Sequence, residues 1–361
     1  CEAAMMLLDS QKFYKKWLKD ISDCQSVENG HVQHTAPFMG GGGGPAGWGG
    51  AIAVVPYEMY KIYGDKETFR RYLPKILRYF DYLDSRSSGG LVCREEEGGW
   101  CLGDWCPPEQ ITICEPFVNT ALYVKQMMMT KEASEAIGES ETAAMLEKRI
   151  EEKKQAILNA YYSPQTGSFI GDAQGANSFA VDIGLGGERA FNNTKKKYDA
   201  ADAFDTGIFG TDILTRVLFE RGCADTAFHL LTSTGKGSFY NMKKQGATTI
   251  WENWDGERSH SHPMFGAVTR YLFSFILGIT QEKNSAGYEK IVIAPQIPDR
   301  LNRASGHITT VRGEIAVSFI RTEREMDFYV TVPQKAWFTY GSDCEYELWE
   351  GENHIHIDFE E

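Results

Sequence analysis

Glu252 sits between Trp251 and Trp254 in the phrase GATTIWENWDG (residues 246 to 256), a carboxylate walled by indoles. A carboxylate set among apolar walls can hold and deprotonate a water, which is the work of a general base. Two other glycine-rich phrases carry the same aromatic and acidic mixture. Trp48 lies in the glycine-rich stretch of residues 40 to 50, and Asp104 precedes Trp105 in GGWCLGDW (residues 98 to 105). Flat indole faces pack on the C–H faces of a pyranose, while carboxylates and imidazoles reach its hydroxyls. Trp48, Trp105, Trp251, Trp254, Asp104 and His262 therefore describe a candidate sugar site around Glu252. Each has a plainer reading alone: an indole is core filler, a lone Glu a cap, a lone His structural, and Asp104 could equally cap the loop that follows it. These four Trp, half of the chain's eight, all lie in glycine-rich loops, which brings the two readings level.

Other reactive side chains offer less. Asp205 suits the cap of the helix that follows it, and Asp199 and Asp202 a solvated face. Cys93, Cys101, Cys106 and Cys114 lack paired C-x-x-C spacing, so they read as free thiols rather than a zinc site. His354 and His356 alternate on a late strand and face one side, yet no carboxylate or Cys completes a ligand set nearby, so no metal is expected. The glycine run has no following Lys-Ser/Thr and no preceding strand, which excludes a phosphate loop. Asn192-Asn193-Thr194 matches a glycosylation acceptor, a short and common pattern.

The elements that must position these residues follow two periods. Ile52, Val55, Met59 and Ile62 keep helical spacing, with Gly64 as a stop and Asp65 as the next cap. Ile76, Phe80 and Leu83 mark another helix after Pro74. Val118, Leu122, Met129 and Ala133 trace a longer one that ends near Gly138, and Ser140 is expected to cap a helix through Leu146, Ile150 and Ile157. Ile213 with Val217, and Phe265, Val268, Leu272 and Ile276, continue a series of helical hairpins. Past Gly287 the period becomes two, in Ile291 to Ile293, Ile315/Val317/Phe319, Phe328/Val330/Val332 and Ile355/Ile357/Phe359. The expected organisation is an all-helical domain over residues 1–283 and a small β-sandwich over 284–361.

The 361 residues are 42% hydrophobic and 24% charged, which fits a folded chain with a sizeable core. A formal net charge of -13 repels phosphate backbones and anionic lipid, so neither nucleic acid nor a membrane surface is an expected partner. The chain opens on Cys1 in helical pattern, as expected of a fragment of a longer protein. Free thiols and acidity lean weakly toward a reducing cytoplasm.

Six phrases, in order along the chain, carry a resemblance: GWGGAIAVVPYEMYKIYGD (47 to 65), GDW (103 to 105), DTGIFGT (205 to 211), GATTIWENWDG (246 to 256), HPMFGAV (262 to 268) and GYEKIVIAPQIP (287 to 298). Together they resemble the bacterial α-L-rhamnosidases of glycoside hydrolase family 78. The resemblance implies an N-terminally truncated (α/α)6 barrel followed by the family's β-sandwich, and inverting hydrolysis of terminal α-L-rhamnosides without a cofactor. It implies that Glu252 is the general base, that His262 contacts the sugar, and that Trp48 and Trp105 line the rhamnose pocket. The family's general acid lies before the position where this chain starts, so Glu2 is not promoted to that role and these residues alone should be weakly active or inactive. Gly50, Asn253 and Gly237-Ser238-Phe239 stand where the family usually has Asp, Arg and Pro-Ser-Trp, which bears on the aglycone side and fine specificity. The alternatives are a deoxysugar-binding remnant that no longer cleaves, and a glycosidase of the same fold acting on another sugar.

Overall fold

The computed structural model describes residues 1–40, 43–96, 101–341 and 344–359. Helices α1 (Glu2–Leu7), α2 (Gln11–Cys24), α3 (Ala51–Tyr63) and α4 (Lys66–Ser85) lead into a two-stranded turn, β1 (Ser87–Ser88) and β2 (Leu91–Val92). Then come α5 (Glu115–Ala136), α6 (Ser140–Tyr161), a second small turn of β3 (Tyr162–Ser163) and β4 (Ser168–Phe169), α7 (Ala176–Asp182), α8 (Gly187–Asp199), α9 (Ile208–Glu220), α10 (Ala224–Leu231) and α11 (Phe239–Lys244). Neighbours along the chain pack as hairpins: α3 on α4, α5 on α6, and α7 on both α8 and α9.

Local chemistry sets the boundaries. Gly64 closes α3 at φ +70°, a left-handed conformation that costs glycine little, and Asp65 starts α4 by accepting from the Thr68 amide at 3.0 Å. That cap starts α4 well before Pro74, so Pro74 lies inside a helix that the sequence reading began after it. Ser140 is likewise the first helical residue of α6, preceded by Glu139 at the cap position, and its expected side-chain cap is not made. The last apolar stretch is not one α-helix. Phe265–Val268 is a 3-10 turn, Thr269–Tyr271 a single α-turn and Leu272–Ile276 a π-turn. Ser274 in that turn bonds back to the Arg270 carbonyl at 3.1 Å, as Ser side chains do when they compete for the ladder.

The remaining strands are β5 (Ile279–Gln281), β6 (Ile291–Ile293), β7 (Arg303–Thr310), β8 (Gly313–Arg321), β9 (Glu325–Val332), β10 (Ala336–Tyr340), β11 (Cys344–Leu348) and β12 (Gly351–Asp358). They form two four-stranded sheets, ordered β11-β10-β6-β5 and β12-β9-β8-β7, in which β6 and β10 alone run parallel. Phe328 of one sheet meets Phe338 and Tyr340 of the other, with ring centroids 4.9 and 5.4 Å apart, so the inner faces form a sandwich core. Strand β5 lies ahead of residue 284 and already belongs to this sheet. Its residues Ile279, Thr280 and Gln281 follow closely on the apolar run 272–277 and carry a single large apolar side chain, so no alternation marks them as a strand.

Register also brings carboxylates of a neighbouring strand to His354 and His356. His356 lies directly opposite Asp327, and Asp358 opposite Glu325, so carboxylates do surround these imidazoles, contrary to the linear reading. All eight cysteines are free; Cys101 and Cys106 are buried, with thiols directed at Asn119 and Asn253. Among the described residues no helix is long and apolar enough to cross a membrane.

Candidate active site

The N-terminus of α9 is the platform on which the site is assembled. Its cap residue, Gly207, has no side chain to offer the free amides of the first turn. Asp104 supplies the acceptors from a distant loop, taking the Gly207 amide at 2.7 Å and the Gly210 amide at 2.9 Å. The fit is close: a β-carbon on Gly210 would stand 2.4 Å from an Asp104 carboxylate oxygen, so only glycine serves there. Asp104 is fully buried, and burial pushes its carboxyl up to about 7 while those amides pull it down. It has no surface to offer a ligand. Its expected place in sugar binding is corrected to that of a remote helix cap. Asp205, expected to cap α9, instead accepts from the Tyr198 hydroxyl and pairs with Lys197.

Once Asp104 is docked, its neighbour Trp105 is fixed. The Trp105 carbonyl accepts from the Ile208 amide at 2.8 Å, and Trp105 Nε1 donates to Glu252 Oε1 at 3.1 Å. The guanidinium of Arg258 lies 4.8 Å from the Trp105 ring centroid and takes one face of that indole. Glu252 is half-buried in an irregular loop without helix or strand. That loop folds on itself: the Glu252 amide donates to the Ser259 carbonyl at 2.8 Å, the Ser259 amide returns to Glu252 Oε2 at 3.3 Å, and the His262 amide donates to the Ile250 carbonyl at 2.9 Å. Both carboxylate oxygens of Glu252 therefore accept bonds, and His262 is tied to the same loop.

The four tryptophans divide into two pairs. Trp254 is 2% exposed; its Nε1 donates to the Thr206 carbonyl, and its ring packs among Phe204, Phe239 and Phe265. Trp251 is 6% exposed, stacked on His260 at 4.4 Å and backed by Gly256, where a β-carbon would stand 2.4 Å from the indole. These two anchor the Glu252 loop from beneath. Their expected role as sugar platforms is corrected to a structural one, because burial leaves them no open face. Trp48 and Trp105 remain partly exposed. Trp48 sits in a 3-10 turn, Gly47–Gly50, ahead of α3 and meets Phe209 of α9 edge-on at 4.6 Å. The α9 N-terminus thus gathers both accessible indoles. Beside it a cavity of about 210 Å³ opens between Gly47, Phe209, Met264 and Arg270. His262 Nδ1 is buried with no hydrogen-bond partner, a polar atom that a ligand hydroxyl could satisfy.

Two features escaped the sequence. At Gly50, where the resembled family usually has Asp, a β-carbon would stand 2.1 Å from the Gln126 amide nitrogen, so Gln126 occupies the space and would have to turn aside for any side chain there. A buried ionic network also lines the interior. Arg270 pairs with Glu2 and Asp212, each at 2.8 Å, and Glu58 is pushed up to about 8 by burial and by Glu2. Glu58 and Arg270 stand among apolar neighbours in sequence, and only the folded arrangement shows them facing one another.

Paired helical hairpins followed by a β-sandwich give the layout of a six-hairpin glycosidase domain with its C-terminal β domain. Residues 1–276 match the model of the bacterial alpha-L-rhamnosidase 6 hairpin glycosidase domain, and residues 278–338 that of the bacterial alpha-L-rhamnosidase C-terminal domain. The chain belongs to the bacterial α-L-rhamnosidase family. It is 26% identical to an alpha-L-rhamnosidase of Alteromonas sp. (strain LOR) over 91% of its own length and 38% of the relative's. It is 28% identical to one of Streptomyces avermitilis over 87% of its length and 30% of the relative's. The chain therefore spans about a third of the curated relatives it matches. The solved S. avermitilis α-L-rhamnosidase complexed with L-rhamnose superposes with a TM-score of 0.86 at 24% identity, over 99% of this chain and 37% of that one. The α-L-rhamnosidase of Aspergillus terreus gives 0.89 at 20% identity, over 99% and 44%.

Proposed function

We propose that the chain is the base-bearing part of an inverting α-L-rhamnosidase, which removes terminal non-reducing α-L-rhamnose from a rhamnosylated small molecule or oligosaccharide. The observation that carries this reading is the hydrogen bond from Trp105 Nε1 to Glu252 Oε1. It joins the exposed indole to the carboxylate and, with the Ser259 amide on the other oxygen, fixes the direction in which Glu252 can accept a further proton. In the reaction Glu252 takes a proton from a water as that water attacks the anomeric carbon, on the face opposite the departing oxygen. A second carboxyl, roughly 6.5–9.5 Å away in such enzymes, protonates the leaving group. None of the residues described above is assigned that role. Trp48 and the open face of Trp105 pack on the sugar, and His262 Nδ1 meets one of its hydroxyls.

Release of nitrophenol from an aryl α-L-rhamnoside by the full-length protein tests this directly. Glu252→Gln should lower turnover by about 10²- to 10⁴-fold, the range for losing a general base, while L-rhamnose binding by calorimetry survives. Turnover retained in the variant would remove Glu252 from the role. A folded full-length protein that binds L-rhamnose without cleaving the substrate would mark a binding remnant.

A further inference from the structure

The outer face of the β9–β12 pair carries a ladder that the glycosidase reading does not use. Alternation sends Met326, Phe328, Val330 and Ile355 into the core and leaves Glu325, Asp327 and Tyr329 of β9 opposite Asp358, His356 and His354 of β12 on the outside. His356 Nδ1 lies 2.9 Å from Asp327 Oδ1, and His356 Nε2 lies 3.2 Å from Asp358 Oδ1. His354 Nε2 also reaches Asp327 Oδ1, at 2.7 Å, and its ring is stacked on Tyr329 with centroids 4.7 Å apart.

One imidazole therefore stands between two carboxylates on the two sides of its ring. When Nδ1–H donates to Asp327, the Nε2 lone pair faces Asp358, and a proton or a metal ion between them answers the repulsion. One ligand atom each from His356, Asp358 and Glu325 lies within 4.8 Å of the other two, and all three belong to exposed or half-exposed chains that can close on an ion by rotation. An imidazole whose far nitrogen donates to a carboxylate is the arrangement that orients a histidine toward a metal and raises its basicity as a ligand. One nitrogen and two carboxylate oxygens, with water in the open position, suit zinc and its neighbours in the first transition row better than calcium or magnesium, which prefer all-oxygen sets.

We propose that Glu325, His356 and Asp358 bind a divalent transition-metal cation of the zinc type on the β-sandwich, with Asp327 as the residue that positions the imidazole. The site is independent of the sugar-cleaving reaction and ties the last strand to its neighbour.

Calorimetric titration of the full-length protein with zinc chloride at neutral pH, in parallel with nickel and magnesium chloride, tests this. The parent should bind one more equivalent of zinc than His356→Ala, which separates this site from any zinc taken by the free thiols. Asp327→Asn should keep that equivalent with an affinity about 10- to 100-fold weaker, the usual effect of losing an orienting carboxylate. The zinc-dependent rise in melting temperature should vanish in His356→Ala and shrink in Asp327→Asn, with the metal-free melting temperatures of all three alike. Equal zinc stoichiometry in parent and His356→Ala would overturn the proposal. So would magnesium binding as tightly as zinc, which would mark a carboxylate cluster without use for the imidazole. A second variant, Glu325→Gln, must also lose affinity; if it does not, the ligand set is wrong.

Discussion

The two bonds that hold Glu252 come from an indole and a backbone amide, and the indole can be removed alone. Trp105→Phe keeps an aromatic face and deletes the N–H that meets Glu252 Oε1. A hydrogen bond to a charged group is worth about 1.5–3 kcal/mol, so turnover of an aryl α-L-rhamnoside by the full-length protein should fall roughly 10- to 100-fold with KM little changed. An unchanged kcat would show that the indole serves only as a surface. Asp104 gives a prediction of another kind. In the fold its carboxyl ionises at about 7, well above its ordinary value, because it is buried. Between those two pH values the folded chain holds a proton that the unfolded chain has released. The stability this group confers is complete below the unfolded value and is lost as pH rises through about 7. Asp104→Asn, which cannot ionise, should flatten the decline of melting temperature across that window, by up to about 1.4 kcal/mol per pH unit. Parallel slopes in parent and variant would contradict it. Glu252, Trp105 and Trp48 could be picked out as candidates from the sequence because their types and phrases are local. The cap made by Asp104 was not, since its partners Gly207 and Gly210 lie 103 and 106 residues away. Nor was the burial of Trp251 and Trp254 legible, because it depends on which helices close over them.

At the scale of elements, Asp182 joins three helices. It ends α7, its side chain is 2% exposed, and it pairs with Lys125 of α5 at 2.9 Å and Arg216 of α9 at 2.7 Å. Burial alone would raise its carboxyl, yet Arg216 and Lys125 hold it below its ordinary value. Its contribution is present at neutral pH and lost as pH falls through the depressed value. Asp182→Ala leaves two cations without their partner, which costs about 3–5 kcal/mol for a buried pair, and denaturant unfolding should read that loss. A loss under 1 kcal/mol would show that solvent reaches the cluster. The hairpins and the change from helix to strand were legible in the sequence because amphipathic spacing survives without tertiary knowledge. The mixed turns of 265–276 were not, since helical spacing of apolar residues does not distinguish α from 3-10 or π winding.

At the scale of the whole molecule, Lys61 near the end of α3 is one tie between the helical domain and the β-sandwich. Its ammonium reaches the carbonyls of Lys283 and Ser285 and the carboxylate of Glu132, while its own carbonyl accepts from Gln281 Nε2 and the Gly287 amide. Helical domain and β-sandwich thus share one residue's charge and backbone. Lys61→Ala removes the charged bonds and leaves the backbone ones. The sandwich should then melt ahead of the helices, giving two resolved calorimetric transitions in place of one, at a cost of about 1.5–3 kcal/mol. A single unshifted transition would place the coupling elsewhere. The bond between Trp105 and Glu252 carries a last consequence. Its partners are 147 residues apart, and between them lie all the hairpins from α5 to α11. Closing so long a loop costs entropy that only the packed hairpins repay. A nascent chain emerging from the ribosome can pair its early helices well before Glu252 has been synthesised, so the carboxylate end of this bond is absent from every partly made form that stops short of residue 252.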